Sequence, residues 1–177
     1  ELYGQTFHCW KEKGHGWVSL KNAMKQSCDT YFYEVARLLG VDRLNITAEK
    51  FGLGKKVLGE YFDTEKKGLF PNTKWKKNNL GRGWVLGETL ITGIGQGYIQ
   101  STPLQLCMMT AQIANGGYSI KPKIVVDSNP ISYEDAKQSM ESGLLFDTYS
   151  ANLLDKKLFK DKKNIKIVQE AMFSSTN

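Results

Sequence analysis

The chain has 177 residues, of which 41% are hydrophobic and 24% are charged. This length and balance are typical of one soluble globular domain and exclude a disordered tail or a fibrous repeat. No apolar run approaches the roughly 18 residues that a membrane-spanning helix needs. The chain starts with neither Met nor a signal peptide, so we expect it to be a piece of a longer protein.

The net charge of +6 comes from 24 basic and 18 acidic side chains, and several of the lysines occur in pairs. A basic face attracts nucleic acid, anionic lipid or another anionic polymer, whereas dispersed lysines are usually just solvated. The dispersed pairs favour solvation, and we expect no nucleic-acid partner. Because the chain has three cysteines, a complete internal disulfide framework is impossible.

Two short helices are predicted to meet in the segment 27–30. The first has an apolar stripe that begins at Leu20, and its helical spacing would bring the Ser27 hydroxyl toward the interior. Asp29 is the predicted N-cap of the second helix. The stripe of the second helix starts at Phe32, and Gly40 is its predicted end.

The remaining elements are predicted from periodicity and from capping residues. The strongest signal is at Thr102 to Gln105, where a capping box coincides with Pro103 at the first helical position. Cys107 belongs to the apolar stripe that follows and is assigned to the core. The other predictions are helices at 42–51, 72–79 and 164–174, a glycine-rich loop at 93–97, a strand at 119–126 and irregular structure at 127–150.

One candidate constellation consists of Cys9, His15 and Cys28, separated by six and thirteen residues. Two thiolates and an imidazole suit a tetrahedral zinc site, which requires a fourth ligand. The spacing matches no common zinc motif. A Cys9–Cys28 disulfide, or unpaired thiols beside a surface histidine, would explain the same residues.

The second constellation is Ser27-x-Asp29, a hydroxyl and a carboxylate two residues apart at the junction of two helices. Such a pair can relay a proton and hold a substrate amide in a cleft. Alternatively, Asp29 only caps its helix and Ser27 only fills a gap. The four tryptophans either line a groove or are partly buried as scaffold.

Six segments occur in an order typical of one enzyme family. They are Cys9-Trp10-Lys11-x-x-Gly14-His15-Gly16, Ser27-Cys28-Asp29-Thr30-Tyr31-Phe32-Tyr33, Gly40-Val41-Asp42-Arg43-Leu44, Phe51-Gly52-Leu53-Gly54, Gly93-Ile94-Gly95-Gln96-Gly97-Tyr98 and Thr102-Pro103-Leu104-Gln105. Together they resemble the transpeptidase domain of class B penicillin-binding proteins, above all the elongation-type subgroup, penicillin-binding protein 2. The resemblance covers nearly the whole chain, although 127–163 matches poorly.

The resemblance implies an α+β fold: a helix-rich fragment of the penicillin-binding, β-lactamase-like serine transpeptidase fold, with its central antiparallel sheet incomplete. It also implies a serine acyltransferase with three motifs, Ser-x-x-Lys, Ser-x-Asn and Lys-Thr/Ser-Gly. The chain contains only the middle motif, as Ser27-x-Asp29. Residues 1–177 are therefore expected to be a partial transpeptidase domain, with the nucleophilic serine and its lysine upstream and the third motif downstream.

Site roles follow from the resemblance position by position. Ser27 would pass a proton between the absent lysine and the reacting amine, and Asp29 would hydrogen-bond the substrate amide. Some enzymes of this subgroup bind zinc through residues placed like His15 and Cys28, with Asp where Cys9 stands. A zinc group of Cys9, His15 and Cys28 is thus implied, with its fourth ligand upstream, whereas acyl transfer itself needs no cofactor.

For the intact protein, the resemblance implies peptidoglycan stem peptides ending in D-Ala-D-Ala as substrates and β-lactams as acylating inhibitors. It implies the periplasmic face of the bacterial inner membrane, an N-terminal span outside this chain, and elongation-machinery proteins as partners. The chain alone is expected to resist acylation because it lacks the nucleophile. Two alternatives remain open: a basic zinc-binding module without catalysis, and a non-catalytic β-lactam sensor domain.

Overall fold

A computed structural model describes residues 4–59, 62–122 and 157–176 of the chain. In these ranges no helix is both long and apolar enough to cross a membrane. The helices within the described ranges are α1 Leu20–Lys25, α2 Asp29–Leu39, α3 Val41–Lys50, α4 Thr73–Leu80, α5 Leu86–Gly93, α6 Pro103–Ala114 and α7 Lys162–Thr176.

The described residues contain no continuous strand. Isolated antiparallel bridges join Leu69 to Gln100 and Tyr118 to Lys157. This helix-rich character agrees with the predicted part of an α+β fold that carries little of its sheet.

Helix α2 forms the centre of the helical cluster and packs mainly against α5, with α3 contacting both. The crossing of α2 and α5 is close at Gly93, where an added Cβ would lie 2.4 Å from the Ala36 Cβ. Ala36 is buried at 1% exposure. The two small residues therefore let α5 end directly beside the middle of α2, between Phe32 and Ala36.

A second contact joins α1 to α7, and α7 also packs on α6. Ala23 on α1 and Ala171 on α7 are both fully buried. Gln169 of α7 donates hydrogen bonds to the carbonyls of Ile113 and Ala114 at the end of α6. The C-terminal helix thus supports α1, which leads directly into the Ser27 segment.

Several predicted helix ends are confirmed. Gly40 ends α2 with φ of 77°, in the left-handed region that favours glycine. Asn72 caps α4 by accepting the Trp75 N–H, and Thr102 and Gln105 form the capping box of α6. Local rules suffice here because each cap depends only on residues within one turn.

Two predictions of secondary structure need correction. Helix α5 was not predicted, and Gly93 is its last residue rather than the first residue of a loop. Residues 119–122 of the predicted strand are not extended in a ladder, and 123–126 lie outside the described residues. The irregular segment predicted at 127–150 also lies outside them.

The prediction that Cys107 packs in the core is wrong, since Cys107 is exposed. Helix α6 instead buries Gln105, Met108 and Gln112. The Gln105 amide donates to the carbonyls of Lys55 and Lys67, at 2.6 and 2.8 Å. These hydrogen bonds offset the cost of burying a polar group, which an apolar stripe does not anticipate.

An ion pair joins α4 to α5. The Lys76 Nζ donates to the Glu88 Oε1, and only 6% of the Lys76 side chain is exposed. Glu88 also accepts from the Tyr98 hydroxyl at 3.3 Å. The Trp75 and Trp84 rings both pack against Tyr98, so the scaffold alternative holds for these two tryptophans, whereas Trp10 and Trp17 are exposed.

Candidate active site and metal centre

Ser27 occupies a tight turn that ends helix α1. Its N–H donates to the Met24 carbonyl at 3.2 Å, and the Cys28 N–H donates to the Ala23 carbonyl at 2.9 Å. This pair of hydrogen bonds is the Schellman pattern, in which the residue after the C-cap is usually glycine. Here that residue is Ser27 with φ of 50°, the one non-glycine residue with positive φ among those described.

The left-handed conformation costs an L-residue about 1–2 kcal/mol. Residues held in such conformations cluster at functional sites, where the surrounding structure maintains them. Ser27 is also exposed, which corrects the prediction that its hydroxyl points to the interior. The helix ends at Lys25, so the apolar stripe does not extend to Ser27.

Asp29 is the first residue of α2, and Cys28 is the N-cap. The prediction that Asp29 is the N-cap is therefore wrong by one residue. In the first turn the Asp29 carboxylate is favoured by the positive end of the helix dipole. Its Oδ2 accepts the backbone N–H of Trp10 at 2.9 Å.

Ser27 and Asp29 line the same open recess, which has a volume of about 350 Å³. Its other walls come from the α1 side chain nearest the turn, from α2 and from the end of α5: Met24, Phe32, Gly93 and Ile94. Ser27 and Asp29 thus line one recess together with apolar residues, and the roles predicted for the two residues stay predictions.

Phe32 and Ile94 are site residues that were not predicted from the sequence. Phe32 lies three residues after Asp29 on the same helix, and this spacing places both side chains on one face. That spacing was a usable signal. For Ile94 the sequence held no such signal, because the position of Ile94 depends on the close approach of α5 to α2 at Gly93.

Cys9, His15 and Cys28 lie together, each offering one ligand atom within 4.8 Å of the others. The Cys9 Sγ contacts the His15 Nδ1 at 3.4 Å. Cys28 is buried at 3% exposure, and its Sγ contacts the Thr30 hydroxyl at 3.4 Å. The two cysteines and the histidine therefore converge although they are spread over 20 residues of sequence.

The surroundings of Cys9 favour the thiolate. Burial raises the pKa of the Cys9 thiol, but the backbone N–H groups of Lys11, Asp29 and Thr30 lower it, and the net result is a lowered pKa. The Asp29 carboxylate opposes the lowering. Two of the three N–H groups belong to the first turn of α2, where helices stabilise anions.

The His15 Nε2 is buried and has no hydrogen-bond partner among the described residues. Buried polar atoms are nearly always satisfied, so each exception calls for an explanation such as an ion. Two sulfurs and an imidazole are also the ligand types that zinc prefers. On both grounds the three residues fit a zinc ion, with one protein ligand fewer than a closed structural site has.

The metal-type group and the Ser27–Asp29 recess are adjoining parts of one corner. Cys28 lies between Ser27 and Asp29 in sequence and is the N-cap of α2, and Trp10 follows Cys9. An ion bound to Cys28 would therefore restrict the motion of the turn that orients Ser27.

Comparison with known proteins gives consistent relationships. The sequence profile of the penicillin binding protein transpeptidase domain matches residues 1–177. Peptidoglycan D,D-transpeptidase MrdA from Acinetobacter baumannii is 43% identical over 119 residues, which are 67% of this chain and 18% of that protein. MrdA from Escherichia coli strain K12 is 35% identical over 134 residues, covering 76% of this chain and 20% of that protein.

Solved structures give the same relationship. Pseudomonas aeruginosa PBP2, in complex with WCK 5153, superposes with a TM-score of 0.74 at 36% identity, covering 97% of this chain and 35% of that one. Helicobacter pylori PBP2 gives a TM-score of 0.75 at 27% identity, covering 100% and 29% respectively. The predicted fold class is thereby confirmed.

These relatives show the family of the chain and also how much of their length it covers. The chain spans about a fifth of the length of the curated relatives that it matches. The match extends along the chain from its first residue to its last. The four relatives named above are of the PBP2 (MrdA) type, and the chain belongs to the penicillin-binding protein transpeptidase domain family.

Proposed function

We propose that the chain is the middle part of a peptidoglycan D,D-transpeptidase that forms a serine acyl-enzyme and is acylated by β-lactams. The observation that carries the proposal is the recess that Ser27 and Asp29 share at the start of α2. The nucleophilic serine and its lysine would come from the protein outside residues 1–177, as would the Lys-Thr/Ser-Gly motif. The cell-wall enzymes among its relatives support this reaction class.

Ser27 is proposed as the proton relay. Ser27 is exposed and lines the recess, so its hydroxyl can accept a proton from one group and donate its own to another without leaving the turn. In acylation it would carry the proton from the lysine to the leaving amine, and in transfer it would return the proton from the attacking amine. The left-handed turn fixes the position from which it does so.

Asp29 is proposed as the acceptor that orients the donor peptide. One of its oxygens, Oδ2, is occupied by the Trp10 N–H, which holds the carboxylate plane. The other oxygen remains to accept an amide N–H from a stem peptide or from a β-lactam side chain. Phe32 and Ile94 would exclude water from the same contact.

The matched test compares Ser27→Ala with Ser19→Ala in the intact protein, using a fluorescent penicillin. Ser19 caps α1 by accepting the Asn22 N–H, so its loss costs about 1 kcal/mol of stability without touching the recess. We expect Ser27→Ala to slow acylation at least about 100-fold, the lower range for acid–base groups. We expect Ser19→Ala to acylate normally, and equal rates in Ser27→Ala and wild type would refute the relay.

We also propose that Cys9, His15 and Cys28 hold a zinc ion, with a fourth ligand from the preceding part of the protein. The convergence of the three donors supports this, as does the His15 Nε2, which finds no partner in the part of the chain that the structure describes. The ion would supply a structural cross-link between the segment 9–15 and the N-cap of α2. It takes no part in acyl transfer, for which no cofactor is proposed.

Metal analysis of the purified protein tests the zinc proposal. We expect about one zinc per chain in wild type and in Cys107→Ser, whose exposed thiol lies outside the group. Cys28→Ser and His15→Ala are expected to lose the metal. A wild-type protein without metal, or zinc retained in both of those variants, would contradict the assignment.

The location and partners are proposed from the relatives. Helicobacter pylori PBP2 has been solved in complex with MreC. Proteins of the cell-elongation machinery are accordingly proposed as partners of the intact protein, at the periplasmic face of the inner membrane. Co-purification of the intact protein with MreC of its own organism tests the proposed partner. If the intact protein is absent from membrane fractions, the proposed location is wrong.

A further inference from the structure

Trp10 makes an unusual set of contacts with the turn at the end of α1. Its indole Nε1–H lies 2.9 Å from the Ser27 carbonyl and 3.1 Å from the Gln26 carbonyl. Carbonyls at the end of a helix lack partners within the helix and need them from elsewhere. The indole therefore satisfies the two carbonyls that flank the left-handed residue.

The backbone of the same residue holds the other half of the corner. The Trp10 N–H donates to the Asp29 Oδ2 at 2.9 Å. The Trp10 ring also meets the His15 ring edge-to-face, with centroids 5.4 Å apart. One residue thus contacts Ser27, Asp29 and the metal-type group.

Burial does not explain why a tryptophan lies here. The residue is 66% exposed, so it contributes little to the core. It is absent from the walls of the Ser27–Asp29 recess and lies instead beside Cys9 at a separate hollow of about 460 Å³. Its strongest interactions are the hydrogen bonds to the turn.

We propose that Trp10 is a positioning residue for the transpeptidase reaction: its indole N–H holds Ser27 in the left-handed conformation that presents the hydroxyl to the recess. The inference rests on the proposed function of Ser27 and adds the group that maintains its geometry. Because Ser27 is not glycine, its conformation persists only where surrounding contacts maintain it. The indole supplies two such contacts from outside the helix.

The two kinds of contact give separable effects. Replacing the Trp10 side chain removes the indole N–H but leaves the backbone N–H that holds Asp29. The side chain should therefore affect the chemical step through Ser27 and leave binding through Asp29 unchanged. A residue that merely stabilised the fold would not separate these two quantities.

The experiment measures acylation of the intact protein by a chromogenic β-lactam, resolved into a binding constant and an acylation rate. For Trp10→Phe we expect an acylation rate about tenfold lower, the equivalent of one net hydrogen bond, and a binding constant within twofold of wild type. Trp17→Phe is the control, since Trp17 is fully exposed, and both of its constants should be unchanged. Zinc content should stay at the wild-type level in both variants.

A wild-type acylation rate in Trp10→Phe, or a change in binding alone, would overturn the inference. If Trp10→Phe loses metal or unfolds, benzothienylalanine at position 10 keeps the ring shape and removes only the N–H donor. That variant is expected to show the same tenfold loss, and a normal rate would overturn the inference. Ser27→Ala distinguishes the proposed function from the role of Trp10. If Ser27→Ala is acylated slowly and Trp10→Phe at the wild-type rate, the proposed function stands and only the role of Trp10 is refuted.

Discussion

Replacing Ser27 by glycine and by alanine should reveal the strain in the turn that carries the proposed relay. Ser27 has φ of 50° at the position of a Schellman turn where glycine is the usual residue. Alanine keeps the steric penalty of a Cβ, whereas glycine removes it. The two variants both lack the hydroxyl, so a difference in stability between them reports the backbone conformation.

The expected magnitude follows from two opposing terms. Relief of the left-handed conformation stabilises the glycine variant by about 1–2 kcal/mol. The greater conformational freedom of glycine in the unfolded chain reduces this stabilisation by about 0.4–1 kcal/mol. The net advantage of Ser27→Gly over Ser27→Ala is therefore about 0–1.6 kcal/mol. Its central value, about 0.8 kcal/mol, corresponds to about 2–3 °C in melting temperature for a domain of this size.

Differential scanning calorimetry of the 177-residue chain measures this difference. The matched control is the same pair of substitutions at Ser174, which lies in helix α7. There the order should reverse, with glycine less stable than alanine by up to about 1 kcal/mol. If Ser27→Gly melts below Ser27→Ala, as at the control position, Ser27 is not in the left-handed conformation and the argument fails.

Three further predictions concern the framework of the site. Gly93→Ala places a Cβ 2.4 Å from the Ala36 Cβ and should lower the free energy of unfolding, measured by chemical denaturation, by about 1–3 kcal/mol. In the control Gly83→Ala the new Cβ meets no described atom within 4 Å, and the loss should be under about 1 kcal/mol. Equal losses in the two variants would contradict the close α2–α5 crossing. Burial raises the pKa of Glu88, but hydrogen bonds, above all the one from Lys76, lower it by more, so its pKa lies below the usual 4.5. The ionised Glu88 therefore stabilises the fold above pH 4.5, and this stabilisation is lost as the pH falls through the lowered pKa. Glu88→Gln should destabilise the chain at pH 7 by about 3 kcal/mol, since it leaves Lys76 buried without its charge partner, and should flatten the acid limb of a stability–pH curve; an unchanged curve would contradict this. The 177-residue chain itself should take no covalent label from a fluorescent penicillin, and labelling would show a nucleophile within it.

The helix ends that were predictable are those determined by near neighbours. The capping box of Thr102 and Gln105 and the stop at Gly40 are written within a few residues of sequence. Asn72 was likewise recognisable as the start of α4 after Pro71. In each case the side chain or the missing Cβ acts on its own turn, so tertiary structure adds nothing to the prediction.

The errors arose where tertiary contacts override the local pattern. The apolar stripe of α1 was extended one turn too far, because the end of that helix is not marked by glycine but by Ser27 in a left-handed conformation. The core face of α6 was displaced because Gln105 and Gln112 are buried through hydrogen bonds to distant carbonyls. Periodicity treats both glutamines as surface residues and so misplaced Cys107.

The polar and ligand-type residues of the candidate site were recognisable in the sequence, whereas its apolar walls and its geometry were not. Spacing alone left the group of Cys9, His15 and Cys28 undecided between metal, disulfide and free thiols. The zinc proposal depends on their three-dimensional convergence, which spacing does not give. Nothing local indicated that Trp10 reaches the turn at Ser27, since 17 residues separate them in sequence. Contacts of that range depend on how the segment 9–15 folds back on α2.

The most direct test of the shared corner is a crystal structure of the intact protein acylated by a penicillin. We predict that the ligand fills the recess beside Phe32 and Ile94, with its amide N–H about 2.7–3.2 Å from the Asp29 carboxylate and the Ser27 hydroxyl facing the lysine. A penicillin attached elsewhere, with neither Ser27 nor Asp29 in contact with it, would contradict the assignment of this corner as the active site.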